Sequence, residues 1–158
     1  MAQLIGNPIT PTFDRDHLRA IHRHLFRDVY EWAGEPRRTE ISKSNILFLP
    51  YRCIDQALAE IFSELHEENL LRGLQVVDFA RRAAYYLGRL NMVHPFREGN
   101  GRAQRILLDQ LAELSSYAFL WTAVSSEQMA LACRSARQRQ PDYTRLERLL
   151  TLHIVDLR

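Results

Sequence analysis

His94-Pro95-Phe96-Arg97-Glu98-Gly99-Asn100-Gly101-Arg102, followed one turn later by Arg105, lies between two segments with helical spacing. Pro95 disfavours helical geometry at His94, so the first helix is predicted to end there. The two glycines let the backbone bend, and a second helical pattern begins directly after them. The stretch is therefore a tight connection between two helices that carries an imidazole, a carboxylate and guanidinium groups.

The rest of the chain is also dominated by apolar residues at three- and four-residue steps, the spacing of amphipathic helices. A polar turn, Ser42-Lys43-Ser44-Asn45, is flanked by apolar residues and predicts one short β-hairpin. Residues 117–122 are rich in aromatic side chains and form a short connector for which an extended conformation is an option. We expect an all-α bundle with one hairpin and, without a repeat or linker, a single domain over residues 1–158. Helices are predicted at residues 14–32, 53–68, 77–92, 101–114, 126–139 and 142–157.

Composition excludes several classes of function. The chain has 158 residues, with 21 Lys and Arg against 19 Asp and Glu, which gives a net charge of +2. A nearly balanced charge predicts neither a nucleic-acid partner nor a membrane partner. The longest uncharged run after the N-terminal segment, residues 114–126, is too short to span a bilayer.

The cysteines and the N-terminal segment indicate the compartment. Cys53 and Cys133 are far apart in apolar, helix-like segments, which predicts buried free thiols in a reducing environment. Residues 1–13 lack the basic flank and apolar core of a secretion signal. We expect a cytoplasmic bacterial protein, or one delivered into a host cell without a cleavable signal peptide.

His94 and Glu98 are the candidate chemical groups of the connection. An imidazole is the side chain best suited to accept a proton near neutral pH, although a lone histidine is more often only a partly buried polar residue. Glu98 precedes a turn whose N–H groups, with the following helix N-terminus, form an anion site. A carboxylate there is favourable when Mg²⁺ bridges it to substrate phosphates. The alternative is a solvated surface acid.

The neighbouring residues can serve an anion in the same place. The backbone of Gly99-Asn100-Gly101 can present consecutive N–H groups, and the asparagine can also cap the helix. Arg102 and Arg105 share one helix face at its N-terminal end, where they oppose the helix dipole unless an anion offsets the penalty. Phe96 is predicted to anchor the loop by burial. Surface arginines and an ordinary turn are the alternative interpretation.

The complete string resembles the signature of the Fic family, His-x-Phe-x-Asp/Glu-Gly-Asn-Gly-Arg-x-x-Arg. A second resemblance lies upstream, where Tyr30-Glu31-Trp32-Ala33-Gly34, Arg37 and the Ile41-Ser42-Lys43 turn are similar to the family's segment leading into its target-docking hairpin, the flap. Together the two resemblances cover about residues 18–114. The defined positions of the signature are all filled, by His94, Phe96, Glu98, Gly99, Asn100, Gly101, Arg102 and Arg105.

The resemblance implies AMPylation, the transfer of AMP from ATP to a Ser, Thr or Tyr hydroxyl of a target protein. His94 would deprotonate the hydroxyl, whose oxygen attacks the α-phosphorus, and Glu98 would hold Mg²⁺ between the α- and β-phosphates. Gly99-Asn100-Gly101 would cradle phosphate oxygens. By the same resemblance, Arg102 reaches the β-phosphate region and Arg105 the γ-phosphate.

The resemblance also assigns the hairpin a role in target binding. Its residues Ile41, Ser42, Lys43, Ser44 and Asn45 would align a segment of the target as an added edge strand. The side chains of the last three would face the phosphates or the target, and a solvated turn is the equal alternative.

Many Fic proteins carry an inhibitory helix of pattern Ser/Thr-x-x-x-Glu-Gly/Asn, whose glutamate pairs with the second arginine of the signature. The nearest match here, residues 63–67, is followed by Glu68 and lies inside a predicted core helix. This implies the class whose inhibitor is a separate antitoxin-like protein, here contacting Arg105. The alternative is a catalytic fragment that lacks N-terminal helices.

Other functions stay open at this point. Relatives in the family transfer UMP, phosphocholine or, in the Doc branch, phosphate, although that branch lacks the Gly-Asn-Gly-Arg form. A non-catalytic anion-binding module is the alternative from a different class. The presence of both His94 and Glu98 at this spacing argues against such a module, because anion binding alone requires neither side chain.

Overall fold

The computed structural model describes residues 9–158, and α-helices make up most of this part of the chain. The helical bundle with a hairpin that the sequence predicts is confirmed. The helices are α1 (Arg15–Phe26), α2 (Ile54–Glu67), α3 (Val76–Val93), α4 (Asn100–Glu113), α5 (Ser126–Ala136) and α6 (Thr144–Leu152). The strands are β1 (Ser42–Lys43), β2 (Ile46–Leu47), β3 (Tyr117–Phe119) and β4 (Ile154–Asp156).

Helix α3 is the central element of the bundle and contacts α2, α4, α5 and α6. Its inward face carries Ala80, Ala83 and Ala84, all fully buried. Small side chains let neighbouring helices approach closely, so one helix can be surrounded by four others. The helix ends at Val93, as Pro95 predicts. His94 is no longer helical, and α4 begins at Asn100.

The first helix is shorter than its apolar pattern predicts. Asp14 caps α1 by accepting from the His17 N–H at 2.8 Å, but the helix ends at Phe26 and not near residue 32. Val29, whose spacing continues the apolar pattern of the helix, is 68% exposed. The chain turns after Phe26, and the Tyr30 and Trp32 rings stack on each other in the segment that follows, with centroids 4.2 Å apart.

The hairpin is present, but its turn has fewer residues than predicted. Lys43 pairs with Ile46, so only Ser44 and Asn45 form the turn, with φ of 54° and 59°. Positive φ at both central positions of a two-residue loop is the type I′ geometry that matches strand twist. Ser42 and Lys43 therefore lie in β1 and not in the turn.

A second antiparallel pair was not predicted. β3 pairs with β4 near the C-terminus, with Ala118 opposite Val155. The helix predicted over residues 142–157 ends at Leu152, since the β-branched pair Ile154-Val155 continues as a strand along β3.

The cysteine prediction is partly wrong. Cys53 is exposed because it lies in a 3-10 turn, Tyr51–Cys53, before α2 begins. Cys133 is a half-buried free thiol, and burial raises its pKa. Residues 1–8, which are most of the segment interpreted as lacking a secretion signal, lie outside the described residues. Within residues 9–158, no helix is both long and apolar enough to cross a membrane.

Candidate active site

His94 terminates α3 in the left-handed conformation, with φ of 47° and ψ of 64°. Its ring stacks on Phe48, with centroids 3.8 Å apart and an interplanar angle of 17°. Its Nδ1 donates to the Asn91 carbonyl oxygen at 3.3 Å. A neutral imidazole that donates from Nδ1 carries its lone pair on Nε2, so Nε2 is the atom free to accept a proton.

The surroundings of His94 keep its imidazole uncharged. Burial, the largest cause, and the positive charges of Arg137, Arg37 and Lys43 together lower the pKa of His94 to about 4, against the opposing hydrogen bond to Asn91. A pKa of about 4 leaves the ring neutral at pH 7, the form that can act as a base.

Arg37 ties the hairpin to the turn that contains His94. The guanidinium is fully buried and donates from Nε to the His94 carbonyl oxygen at 2.8 Å and from Nη2 to the Val93 carbonyl oxygen at 3.1 Å. It also donates to the carbonyl oxygens of Thr39 and Leu49, which lie on either side of the hairpin. One side chain thus fixes both ends of the hairpin against the end of α3.

The loop after His94 is anchored from inside. Phe96 is fully buried, and its ring stacks on His22 at a centroid distance of 3.9 Å. His22 accepts from the Gly34 N–H at 2.9 Å through Nδ1 and therefore donates from Nε2 to the Glu98 carbonyl oxygen at 2.8 Å. The contacts of His22, which lies in α1, therefore fix the path of the loop without a ligand.

The structure corrects the role predicted for the Asn100 side chain. This side chain is buried, accepts from the Phe96 N–H at 2.8 Å and donates to the Phe96 carbonyl oxygen at 2.8 Å. Both of its polar atoms are used within the loop, so it does not cap α4. The Phe96 backbone groups, which would otherwise be buried without partners, explain the difference.

The N-terminus of α4 is open. Gly99 occupies the N-cap position with φ of 81°, and no side chain caps the helix within the described part of the chain. A Cβ at Gly99 would overlap the Phe26 ring, so a glycine is needed there. The first N–H groups of the helix, at the positive end of its dipole, remain available to an anion.

One cavity of about 300 Å³ collects most of the predicted site residues. Arg105 lies beside Gly101 in its wall, and exposed Glu98 is at its edge. Arg102 is not among the lining residues, and its guanidinium lies 5.7 Å from the Phe26 ring centroid. The predicted residues that line this cavity are Lys43, His94, Glu98, Gly99, Asn100, Gly101 and Arg105.

A second cavity of about 320 Å³ lies between the hairpin and α5, and it also has His94 in its wall. The residues that line both cavities are Lys43, Asn91, His94, Ala130 and Cys133, so the two cavities are neighbours at the imidazole. Of the hairpin residues predicted to act, Ser44 also lines this second cavity, whereas Ile41, Ser42 and Asn45 line neither.

Residues 12–112 match the Fic/DOC family. The chain belongs to this family. It is 45% identical over 78% of its length to a protein adenylyltransferase named VbhT from Bartonella schoenbuchensis, and 38% identical over 70% of its length to a probable protein adenylyltransferase Fic of Escherichia coli. It spans only 26% of the first relative and 56% of the second.

The fold of this Fic-family chain is also that of solved relatives. The crystal structure of the effector BepC from Bartonella tribocorum, with bound AMPPNP, superposes with a TM-score of 0.86 at 26% identity. The match covers 96% of this chain and 79% of the other. The helical bundle and its hairpin are therefore the Fic fold.

Several residues of the site carried no recognisable signal in the sequence. His22 and Phe48 contact Phe96 and His94 from distant elements, and Arg137 reaches the second cavity from the end of α5. The upstream resemblance included Arg37. Nothing in the sequence around Arg37, however, indicated that its charge is buried and contacts the His94 carbonyl oxygen.

We expect Arg37→Met to lower the free energy of unfolding by about 2–4 kcal/mol, because several buried carbonyl groups lose their donor at once. Urea unfolding followed by circular dichroism measures this change. Arg38→Met is the matched control, since Arg38 is exposed and an exposed substitution changes stability by about 0.5 kcal/mol or less. Equal effects of the two substitutions would contradict a bridging role for Arg37.

We expect the His94 imidazole to titrate near pH 4 in the folded protein, since burial and three nearby cations lower its pKa to about 4. Because the folded pKa is below the ordinary value, stability falls as the pH drops from the ordinary pKa towards 4. Histidine-selective NMR measures the titration, and Lys43→Met should raise the pKa. A His94 pKa at its ordinary value would refute the desolvated environment.

Proposed function

We propose that this chain is a protein adenylyltransferase that transfers AMP from ATP to a hydroxyl of another protein. The observation that carries the proposal is the position of His94 where the two cavities meet. A nucleotide that fills both cavities puts its triphosphate at the α4 N-terminus and its nucleoside between the hairpin and α5. The phosphate next to His94 is then the α-phosphate. The names of the relatives support the same reaction.

His94 is the general base of the proposed reaction. Its neutral imidazole takes the proton of a Ser, Thr or Tyr hydroxyl on Nε2, and the oxygen attacks the α-phosphorus. The bond from that phosphorus to the bridging oxygen breaks, and pyrophosphate leaves. The stack on Phe48 and the hydrogen bond to Asn91 hold the ring in one orientation, so catalysis rests on positioning.

The N-terminus of α4 and Arg105 bind the phosphates. The open N–H groups after Gly99 donate to phosphate oxygens, and Arg105 pairs with the terminal phosphate. Arg102 is proposed for the β-phosphate region, which requires its side chain to leave the Phe26 ring. The backbone of Asn100, and not its side chain, takes part.

Glu98 is the proposed ligand of Mg²⁺. Residues 9–158 contain no cluster of three metal-binding side chains, and Mg²⁺ in nucleotide sites commonly uses one or two carboxylates together with phosphate oxygens. An exposed carboxylate beside the open helix N-terminus suits this mode of binding. When bound, the ion neutralises charge on the leaving pyrophosphate.

The hairpin is the proposed docking site for the target protein. Its strands are short and Leu47 is 63% exposed, so an extended segment can add along an edge. Arg37 fixes the hairpin relative to His94, which brings a docked segment to a constant distance from the base. Ile41, Ser42 and Asn45 belong to this docking role, and Lys43 and Ser44 also face the cavities.

A separate antitoxin-like protein is the proposed regulator. No acidic residue among residues 9–158 forms an ion pair with Arg105, which leaves its guanidinium open to a glutamate from another chain. Such a glutamate would displace the terminal phosphate. For location we propose the bacterial cytoplasm or delivery into a host cell, the latter because structural relatives are named as translocated Bartonella effectors.

Incubation with Mg²⁺ and α-labelled ATP in bacterial and host lysates should label target proteins. His94→Ala should reduce the rate by about 10²–10⁴, since a general base contributes that much. His24→Ala is the matched control, because His24 lines neither cavity. Equal labelling by wild type and His94→Ala would refute the mechanism, and label from γ-labelled ATP would indicate phosphate transfer instead.

Inhibition by a partner is tested with small helical proteins encoded beside the gene for this chain. We expect one of them to stop target labelling through a single glutamate, because that carboxylate occupies the phosphate position at Arg105. Replacing the partner's glutamate with alanine should restore labelling without preventing complex formation. Continued labelling in a complex with every such protein would count against a separate inhibitor.

A further inference from the structure

Arg137, which follows α5, is a buried cation with unsatisfied donors. It is 5% exposed, yet its Nε and Nη1 atoms have no acceptor among residues 9–158. In folded proteins, the large majority of buried polar side-chain atoms are hydrogen bonded. Arg137 also lines the cavity between the hairpin and α5. A buried, unpaired guanidinium in a cavity wall points to a ligand that supplies acceptors.

Phe48 holds this guanidinium next to the proposed catalytic base. The Arg137 Cζ atom lies 4.4 Å from the Phe48 ring centroid, and the same ring stacks on His94. The cation–π contact stabilises the charge without using any of its N–H groups. The donors of Arg137 are therefore kept in place for another partner.

The other walls of this cavity restrict what the ligand can be. Ala130 and Leu131 contribute apolar surface, and Leu131 is 50% exposed. Lys43 and Arg134 add positive charge and Glu127 adds one negative charge, so with Arg137 the wall is cationic on balance. The cavity shares His94 and four other lining residues with the proposed triphosphate site, so the two are neighbours. A flat, largely apolar group that carries acceptor atoms and is attached to phosphates fits these walls, and a nucleotide base has that chemistry.

We propose that Arg137 is a specificity-determining residue that donates hydrogen bonds to the acceptor edge of the nucleotide base. The proposal rests on the proposed function, in which the nucleoside occupies this cavity. A guanidinium has donors only, so it recognises ring nitrogens or carbonyl oxygens and discriminates against an edge that offers only an amino group. Arg137 thereby contributes to binding of the base and not of the phosphates.

Calorimetric titration of the whole chain with Mg-ATP and with Mg-tripolyphosphate tests this assignment. Arg137→Met should weaken ATP binding on the order of 10- to 100-fold, the loss expected for a charged hydrogen bond. Tripolyphosphate binding should stay at the wild-type value, because that ligand has no base. Arg105→Met should weaken both ligands, and Arg134→Met, an exposed cation of the same cavity, should affect ATP much less than Arg137→Met.

Two outcomes would overturn the assignment: ATP binding by Arg137→Met that equals wild type, or equal losses for ATP and tripolyphosphate. If circular dichroism shows that Arg137→Met is unfolded, Arg137→Lys keeps the charge but lacks the planar fork, and it should still lose ATP selectively. Failure of the proposed function gives a different result, since the wild type would then transfer no label from α-labelled ATP to any target.

Discussion

The fixed distance between the hairpin and His94 depends on the buried guanidinium of Arg37. A buried charge is costly unless its donors are satisfied, and here backbone carbonyl oxygens satisfy them from two directions. Glu40, its nearest carboxylate at 3.9 Å, is largely exposed, so carbonyl dipoles provide most of the compensation. Because the carbonyls belong to the hairpin ends and to the end of α3, neither element can shift without leaving the charge unpaired.

The same constraint explains why His94 tolerates a left-handed backbone. A non-glycine residue at φ of 47° is disfavoured, and such strain persists only where the surroundings over-determine the conformation. Here the Arg37 side chain donates to the carbonyl oxygen of His94, and the backbone N–H of Arg37 donates to the Pro95 carbonyl oxygen at 2.8 Å. The left-handed turn is what directs the chain from α3 into the loop and brings the imidazole beside the α4 N-terminus.

Local signals in the sequence predicted the elements on either side of this turn well. Pro95 and the helical spacing of apolar residues predicted α3 within one residue at each end, since both signals act between residues that are close in the chain. Long-range contacts were not predictable in this way. The preference of asparagine for the N-cap position suggested a cap at Asn100, but its side chain is instead hydrogen bonded to the buried backbone of Phe96. Likewise His22, Phe48 and Arg137 reach the site only through the packing of distant helices.

The arrangement around His94 also bears on which phosphate is attacked. If a nucleotide lay only in the α4 cavity with its terminal phosphate at His94, the hairpin–α5 cavity would have no ligand group to pair with Arg137. Phosphate transfer needs only the terminal phosphate at His94, with the rest of the nucleotide on one side, whereas AMP transfer needs room on both sides of the α-phosphate, for the nucleoside and for the pyrophosphate. A cationic, partly apolar cavity on one side and an open helix N-terminus on the other match the second requirement. Selectivity between the two reactions then follows from where the nucleobase binds. It does not require a different general base.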